Sequence, residues 1–203
     1  MQLGDISVRF VDLMLGTVRA LHPAPMEVLR RFNVTPEQLS TPDARISISK
    51  YMMIGHAFIK ETGRGDLGLM MGRNLQITHF GLPGYAVMTA PRLETALGLC
   101  IQFEKLASEN RRGSSRFVRE AEGGVAEFYS ISPYNDYNRF VVDSILGGWL
   151  TLSRWLCAED RLLERVEIEF EEPEHQPLYK AIFGCPVRFR QSRNALVFKP
   201  AAL

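Results

Sequence analysis

Residues Leu67–Leu106, LGLMMGRNLQITHFGLPGYAVMTAPRLETALGLCIQFEKL, sit where the apolar period of the chain changes. Ahead of them apolar residues recur every three or four positions, and soon after them every second position. Within the stretch, Gly81, Pro83 and Gly84 make Thr78–Gly84 a tight turn, because glycine supplies positive φ and proline fixes its own φ. Tyr85–Thr89 reads as a short helix. Pro91–Ala107 follows with Leu93, Ala96, Leu97, Cys100, Ile101 and Leu106 on one broad apolar face, the pattern of a mostly buried helix.

Towards the N-terminus the helical period holds. Val8, Val11, Leu15 and Val18 predict a helix over Ile6–Leu21, stopped by His22-Pro23-Ala24-Pro25. Met26, Leu29 and Phe32 line a second helix, Thr35-Pro36-Glu37-Gln38 has the makings of a capping box, and Ala44–Thr62 predicts a longer helix capped by Ser47 or Ser49 and ended by Gly63. Asp66 is placed to cap Leu67–Met71. The short connections give no boundary inside this half.

From Ser114 the period is two. Ser115–Ala121 and Val125–Ser132 predict a hairpin turning at Gly123-Gly124. Arg139–Cys157 predicts a long helix with Val141, Ile145, Trp149, Leu152 and Leu156 inward; Gly147-Gly148 inside it costs about 1 kcal/mol per glycine and implies a close neighbour. Val166, Ile168 and Phe170 alternate with Glu167, Glu169 and Glu171 as a strand with one wet face, its acids opposing Arg188 and Arg190. Pro177–Phe183 predicts a short helix with Leu178 and Ile182 on one side, and Val187–Phe189 and Ala195–Lys199 two further strands. The expected fold is α+β: a helical N-terminal half packed on a mostly antiparallel sheet ordered ββ-helix-β-helix-ββ, as one domain over 1–203.

The 203 residues can bury a core without staples. Lys+Arg 24 against Asp+Glu 23 leaves a net charge of +1, which argues against a direct grip on nucleic acid. Cys100, Cys157 and Cys185 are odd in number and widely spaced, so neither a disulfide framework nor a zinc site is expected, and a reducing cytoplasm suits them. No signal peptide is evident, and apolar runs such as SILGGWLTL fall short of the roughly 18 residues that span a bilayer. No Gly-rich phosphate loop, G-x-S-x-G elbow or His-based metal spacing occurs, so no cofactor or metal is expected. An enzyme would have to use Cys185 with His175, or Asp136 with His79.

Aromatic and polar residues gather at the joins between elements. His79, Phe80 and Tyr85 lie in the opening stretch, Tyr129, Tyr134, Asp136 and Arg139 between hairpin and long helix, and Trp149 within that helix. With Arg112, they form the candidate ligand-binding set, since small-molecule pockets combine apolar walls with a few convergent polar groups. Arg139 or Arg112 would hold a carboxylate and Asp136 an amine. If there is no ligand, the apolar face of Pro91–Ala107 or of the long helix would form a dimer surface.

The ordered motifs LGL-x-x-G, FG-x-x-GYA-x-x-x-x-P-x-L-x-x-AL and FG-C-P-V-x-F, running from about Asp43 to Leu203, resemble the N-terminal effector-sensing domain of one branch of AraC/XylS-type transcription regulators, the arabinose-binding-like branch. The resemblance implies a cytoplasmic bacterial regulator that binds a small-molecule effector, forms a homodimer, and acts on promoter DNA and RNA polymerase. It also implies helix-turn-helix motifs beyond Leu203, so this chain is expected to be the sensor portion of a longer protein.

Overall fold

The computed structural model describes residues 3–41, 43–110 and 113–203, with the backbone alone for 104–109. The chain opens with strand β1 (Gly4–Ser7) and helix α1 (Val8–Val18), continues through α2 (Pro25–Arg31), α3 (Pro36–Ser40) and β2 (Arg45–Ser47), and enters α4 (Ile48–Thr62) and α5 (Leu67–Asn74). A 3-10 turn (Ile77–Phe80) leads into α6 (Leu82–Met88), α7 (Leu93–Ala107) and β3 (Ser108–Asn110). The second half runs β4 (Arg116–Glu120), β5 (Gly123–Phe128), α8 (Arg139–Cys157), β6 (Leu163–Glu167), α9 (Gln176–Phe183), β7 (Val187–Arg188) and β8 (Asn194–Phe198). This is an α+β fold, and the second half has the expected ββ-helix-β-helix-ββ order.

The five-stranded sheet is ordered β4-β5-β8-β6-β7, antiparallel except for the β6/β7 pair. Its inner face carries Ala126, Phe128, Val166, Leu196 and Phe198, which pack with α7, α8 and α9 into one core. A second core gathers α1, α2, α4 and β1 around Val11, Met14, Leu29, Tyr51, Ile54 and Phe58. Helices α5 and α8 feed both: Leu69 and Val142 face the first core, Leu67, Met71 and Phe140 the second.

Local chemistry explains most element ends. Ser47 Oγ accepts from Lys50 N at 3.2 Å to start α4, and Gly63 ends it at φ 67°; Thr35 Oγ1 accepts from Gln38 N at 3.2 Å to start α3. Arg154 on α8 donates to Ile182 O at 2.8 Å and Phe183 O at 3.2 Å, satisfying carbonyls at the C-terminus of α9.

Helices α5 and α8 cross with almost no side chain between them. A Cβ on Gly72 would lie 2.8 Å from Gly147 Cα, and one on Gly68 would lie 2.2 Å from Phe140 O and 2.7 Å from Asp143 Cβ. The close neighbour implied by Gly147-Gly148 is therefore α5.

Several sequence expectations need correction. The first helix starts at Val8, because residues 4–7 pair as β1 with β2 and β3 in a three-stranded sheet. The hairpin turns at Ala121-Glu122, and Gly123 (φ 138°) lies within β5, where a Cβ would meet Phe198 O at 2.1 Å. Asp66 stands at the N-cap position of α5 as expected, but its side chain makes no cap bond; its carboxylate is held by Arg64 at 2.6 Å. Helix α8 is buried nearly all round, at Phe140, Val142, Asp143, Leu146, Trp149 and Leu150, while Val141, Ile145 and Leu156 are only partly buried. On α9 it is Tyr179 and Phe183 that point inward, and Leu178 is exposed. The expected inward side chain of Leu106 lies outside the described side chains.

The acids of 167–171 do not share one wet face. Glu167 is buried between Arg165 (2.7 Å) and Arg193 (2.6 Å), which also reach Glu122 and Glu120 at 2.5 Å each. Burial pushes the Glu167 carboxyl up, but the hydrogen bonds from Arg193 and Arg165 outweigh it and leave its pKa lowered. The arginine stems lie on the same outer sheet face as Val118, Val125 and Val197. Only Glu171 meets an expected partner, Arg190 at 3.2 Å, and that pair is exposed.

Candidate functional site

One face of α8 opens onto a cleft closed by α4, by the segment 170–175 and by α9. Its walls are His56, Ile59, Lys60, Gly65, Asp136, Arg139, Phe140, Asp143, Phe170, Pro173, His175 and Tyr179, and its volume is about 180 Å³. The helical period of α8 places Arg139, Phe140 and Asp143 on this side together. Phe140 lies against Gly55 of α4, where a Cβ would sit 2.2 Å from the ring.

The polar groups of the cleft are unusual for their depth. Asp143 is 2% exposed, and Tyr179 Oη donates to both of its carboxylate oxygens at 2.8 Å. Burial pushes the Asp143 carboxyl up to about 7, against the hydrogen bond from Tyr179 and the charge of Arg139, which favour the ionised form. The Tyr179 hydroxyl is raised by burial and by the neighbouring acid, so it stays the proton donor of the pair. His175 stacks on Tyr179 at 5.6 Å, and burial holds its imidazole below the usual range.

Two buried side-chain nitrogens lack a hydrogen-bond partner among the described residues: Arg139 Nε and His175 Nε2. Buried polar atoms left without a bond are rare and need an explanation. The Arg139 guanidinium lies 5.9 Å from the Phe170 ring centroid. On the rim, His56 stacks on Tyr137 at 3.9 Å and its Nδ1 lies 3.3 Å from Asp136 O.

Of the residues singled out from the sequence, Asp136 and Arg139 share this cleft. Phe80 and Trp149 meet in a narrow apolar slot of about 20 Å³ with Phe10, Leu13 and Leu75, little more than a water needs. His79 lines an open polar groove between α1 and the end of α5, its Nδ1 accepting from Gln76 N at 2.9 Å. Tyr129 borders a third, small apolar pocket with Tyr51 and Ile131. Tyr134 is tied to Glu169 and to the buried Asn194, whose Nδ2 donates to Tyr134 Oη at 2.8 Å, so it braces the sheet end. Tyr85 is 67% exposed on α6. Arg112 lies outside the described residues. The described members of the set are thus divided among several pockets, and Lys60, Asp143, His175 and Tyr179 line the cleft together with Asp136 and Arg139.

The nucleophilic alternatives find no support in this geometry. Cys185 is buried, and burial pushes its thiol up to about 11, away from the thiolate. Asp136 and His79 line different clefts. Among the described residues no cluster of His, Cys, Asp and Glu could hold a metal ion, and no helix is long and apolar enough to cross a membrane.

Residues 24–203 match the model of the N-terminal arabinose-binding domain of AraC transcription regulators. The chain belongs to that family. The match begins upstream of the motif-bearing region at Asp43, so it takes in α2, α3 and the capped start of α4. A curated relative is the ornithine utilization regulator of Pseudomonas aeruginosa, 21% identical over 188 residues that cover 92% of this chain and 54% of that protein. Among solved structures, the transcriptional regulator CdpR from Pseudomonas aeruginosa aligns with a TM-score of 0.59 at 16% identity, over 89% of this chain and 55% of its own. That likeness concerns the fold. The chain spans about half the length of the relatives it matches.

Proposed function

We propose that this chain is the effector-sensing domain of a bacterial AraC-type regulator, that 1–203 acts as one sensing unit, and that the α4/α8/α9 cleft receives a small metabolite. The observation that carries the reading is the pair of buried, unpartnered nitrogens, Arg139 Nε and His175 Nε2, beside the buried Asp143 in a cleft of about 180 Å³. The full regulator is cytoplasmic, binds promoter DNA through a helix-turn-helix domain joined after this region, and communicates with RNA polymerase. The ligand biases the regulator only by its difference in affinity between two states. The name of the Pseudomonas aeruginosa relative makes ornithine and similar metabolites the first to try.

The test is a promoter reporter driven by the full-length regulator, screened with metabolites of this size. Ile59→Trp, which fills the cleft wall, should abolish the response, while Arg30→Ala at an exposed position of α2 should leave it intact. A full response in Ile59→Trp would refute the placement. In this reading a homodimer does not use the apolar faces of α7 or α8, because Leu93, Leu97, Cys100, Leu146 and Leu150 are consumed in the core. The exposed Leu82, Tyr85 and Met88 of α6, at three-residue spacing, are the surface to test. Leu82→Glu should shift the sedimentation of a dimer to that of a monomer; an unchanged dimer rules α6 out.

A further inference from the structure

Resting on the reading of the α4/α8/α9 cleft as the effector site, we infer that the cleft takes a small monocarboxylate with an apolar body, recognised by Arg139 and His175. Arg139 forms no ion pair among the described residues, yet its Nε is buried and its guanidinium is placed beside the Phe170 ring. The acid whose charge it feels, Asp143, bonds to Tyr179 instead of to Arg139, so the guanidinium is left without a directly paired carboxylate, and its planar fork matches a planar carboxylate through two parallel hydrogen bonds. His175 lines the same cleft from the segment that closes it, and its buried Nε2 has no hydrogen-bond partner among the described residues.

Charge selects against a dianion. The cleft walls already contain Asp136 and Asp143 beside Lys60 and Arg139. With Asp143 holding its proton these groups sum to one positive charge, which one carboxylate balances and a dianion exceeds, so a phosphate ester fits less well than a carboxylate. Size and polarity restrict the rest of the molecule. A cavity of about 150 Å³ holds a benzene ring, so about 180 Å³ suits a ligand of roughly ten heavy atoms or fewer. Ile59, Phe140, Phe170 and Pro173 supply apolar contacts for its body.

The experiment is a thermal-shift measurement on the chain with benzoate, hexanoate and L-ornithine, each beside its primary amide, at about 10 mM, a hundredfold excess over a dissociation constant of about 0.1 mM. At least one acid should raise the melting temperature while its amide does not. In Arg139→Gln the apparent affinity of that acid should fall by roughly 10- to 100-fold, the loss of one charge-assisted contact. Arg139→Lys keeps the charge and should recover part of the affinity, which separates recognition from a folding defect. The inference is overturned if amides stabilise as well as acids, if the shift in Arg139→Gln is undiminished, or if none of the acids binds. Binding of a neutral amide that Ile59→Trp abolishes would overturn the carboxylate and keep the sensing cleft. An effector response in the full-length regulator that survives Ile59→Trp would remove the cleft itself.

Discussion

Replacing Asp143 by Asn tests the electrostatics of the cleft without changing its shape. The folded-state carboxyl titrates at about 7, against about 3.9 in an unfolded chain. An acid raised in this direction costs nothing below pH about 4, where both states hold the proton. Its cost grows as pH rises towards 7, because the unfolded state has released a proton that the folded state retains, and it is complete above 7. Three units correspond to about 4 kcal/mol, and the slope is about 1.4 kcal/mol per pH unit for this single group. Asn keeps an acceptor for the Tyr179 hydroxyl and cannot ionise. The stability of Asp143→Asn relative to the native chain should therefore increase by about 3 kcal/mol between pH 5 and pH 8. Urea unfolding followed by circular dichroism at several pH values measures it. A difference that is flat with pH, or that grows towards acid, would refute the reasoning, the second outcome meaning that Arg139 holds Asp143 ionised.

Other substitutions follow from the packing and the ion pairs. Gly68→Ala forces a methyl group onto Phe140 O and Asp143 Cβ, and should cost about 3 kcal/mol, a fall of about 6–12 °C in Tm. Gly16→Ala in the exposed face of α1 has no atom within 4 Å of the new Cβ and should add about 0.5–1 kcal/mol, so the pair distinguishes crowding from helix propensity in one set of thermal melts. Glu167→Ala leaves the Arg165 and Arg193 guanidinium groups without their shared acid and should lose about 3 kcal/mol in chemical denaturation. Glu171→Ala breaks only the exposed contact to Arg190 and should change stability by less than about 0.5 kcal/mol.

What the sequence made legible was set by how local each signal is. Helix ends were readable where a single residue fixes them: Thr35 and Ser47 at starts, Gly63 and Gly184 at left-handed ends. The three-stranded sheet was not, since Gly4–Ser7 pairs with Arg45–Ser47 and Ser108–Asn110, segments too short for a period and far apart in the chain. Gly123-Gly124 looked like a turn because glycine permits one, whereas Gly123 lets the β8 backbone approach and Gly124 leaves room for the Phe117 and Leu203 side chains. Arg139 and Asp136 were found through the density of polar and aromatic residues before α8. Asp143 was missed although its signal was present, an acid set inside the apolar run FVVDSILGGWL, where a charge needs a reason. His175 and Tyr179 join it only through tertiary packing.

The glycine crossing of α5 and α8 separates what can vary from what cannot. Backbone meets backbone there, so a side chain gained at Gly68 or Gly72 would displace the helix that carries Arg139 and Asp143. The opposite walls of the cleft, on α4 and the segment 170–175, bear no such constraint at Ile59, Lys60 or Pro173. A lineage could therefore retune ligand preference by substitutions on those two walls while the α5/α8 frame stays untouched, which makes them the natural positions to randomise when engineering this domain toward a new inducer.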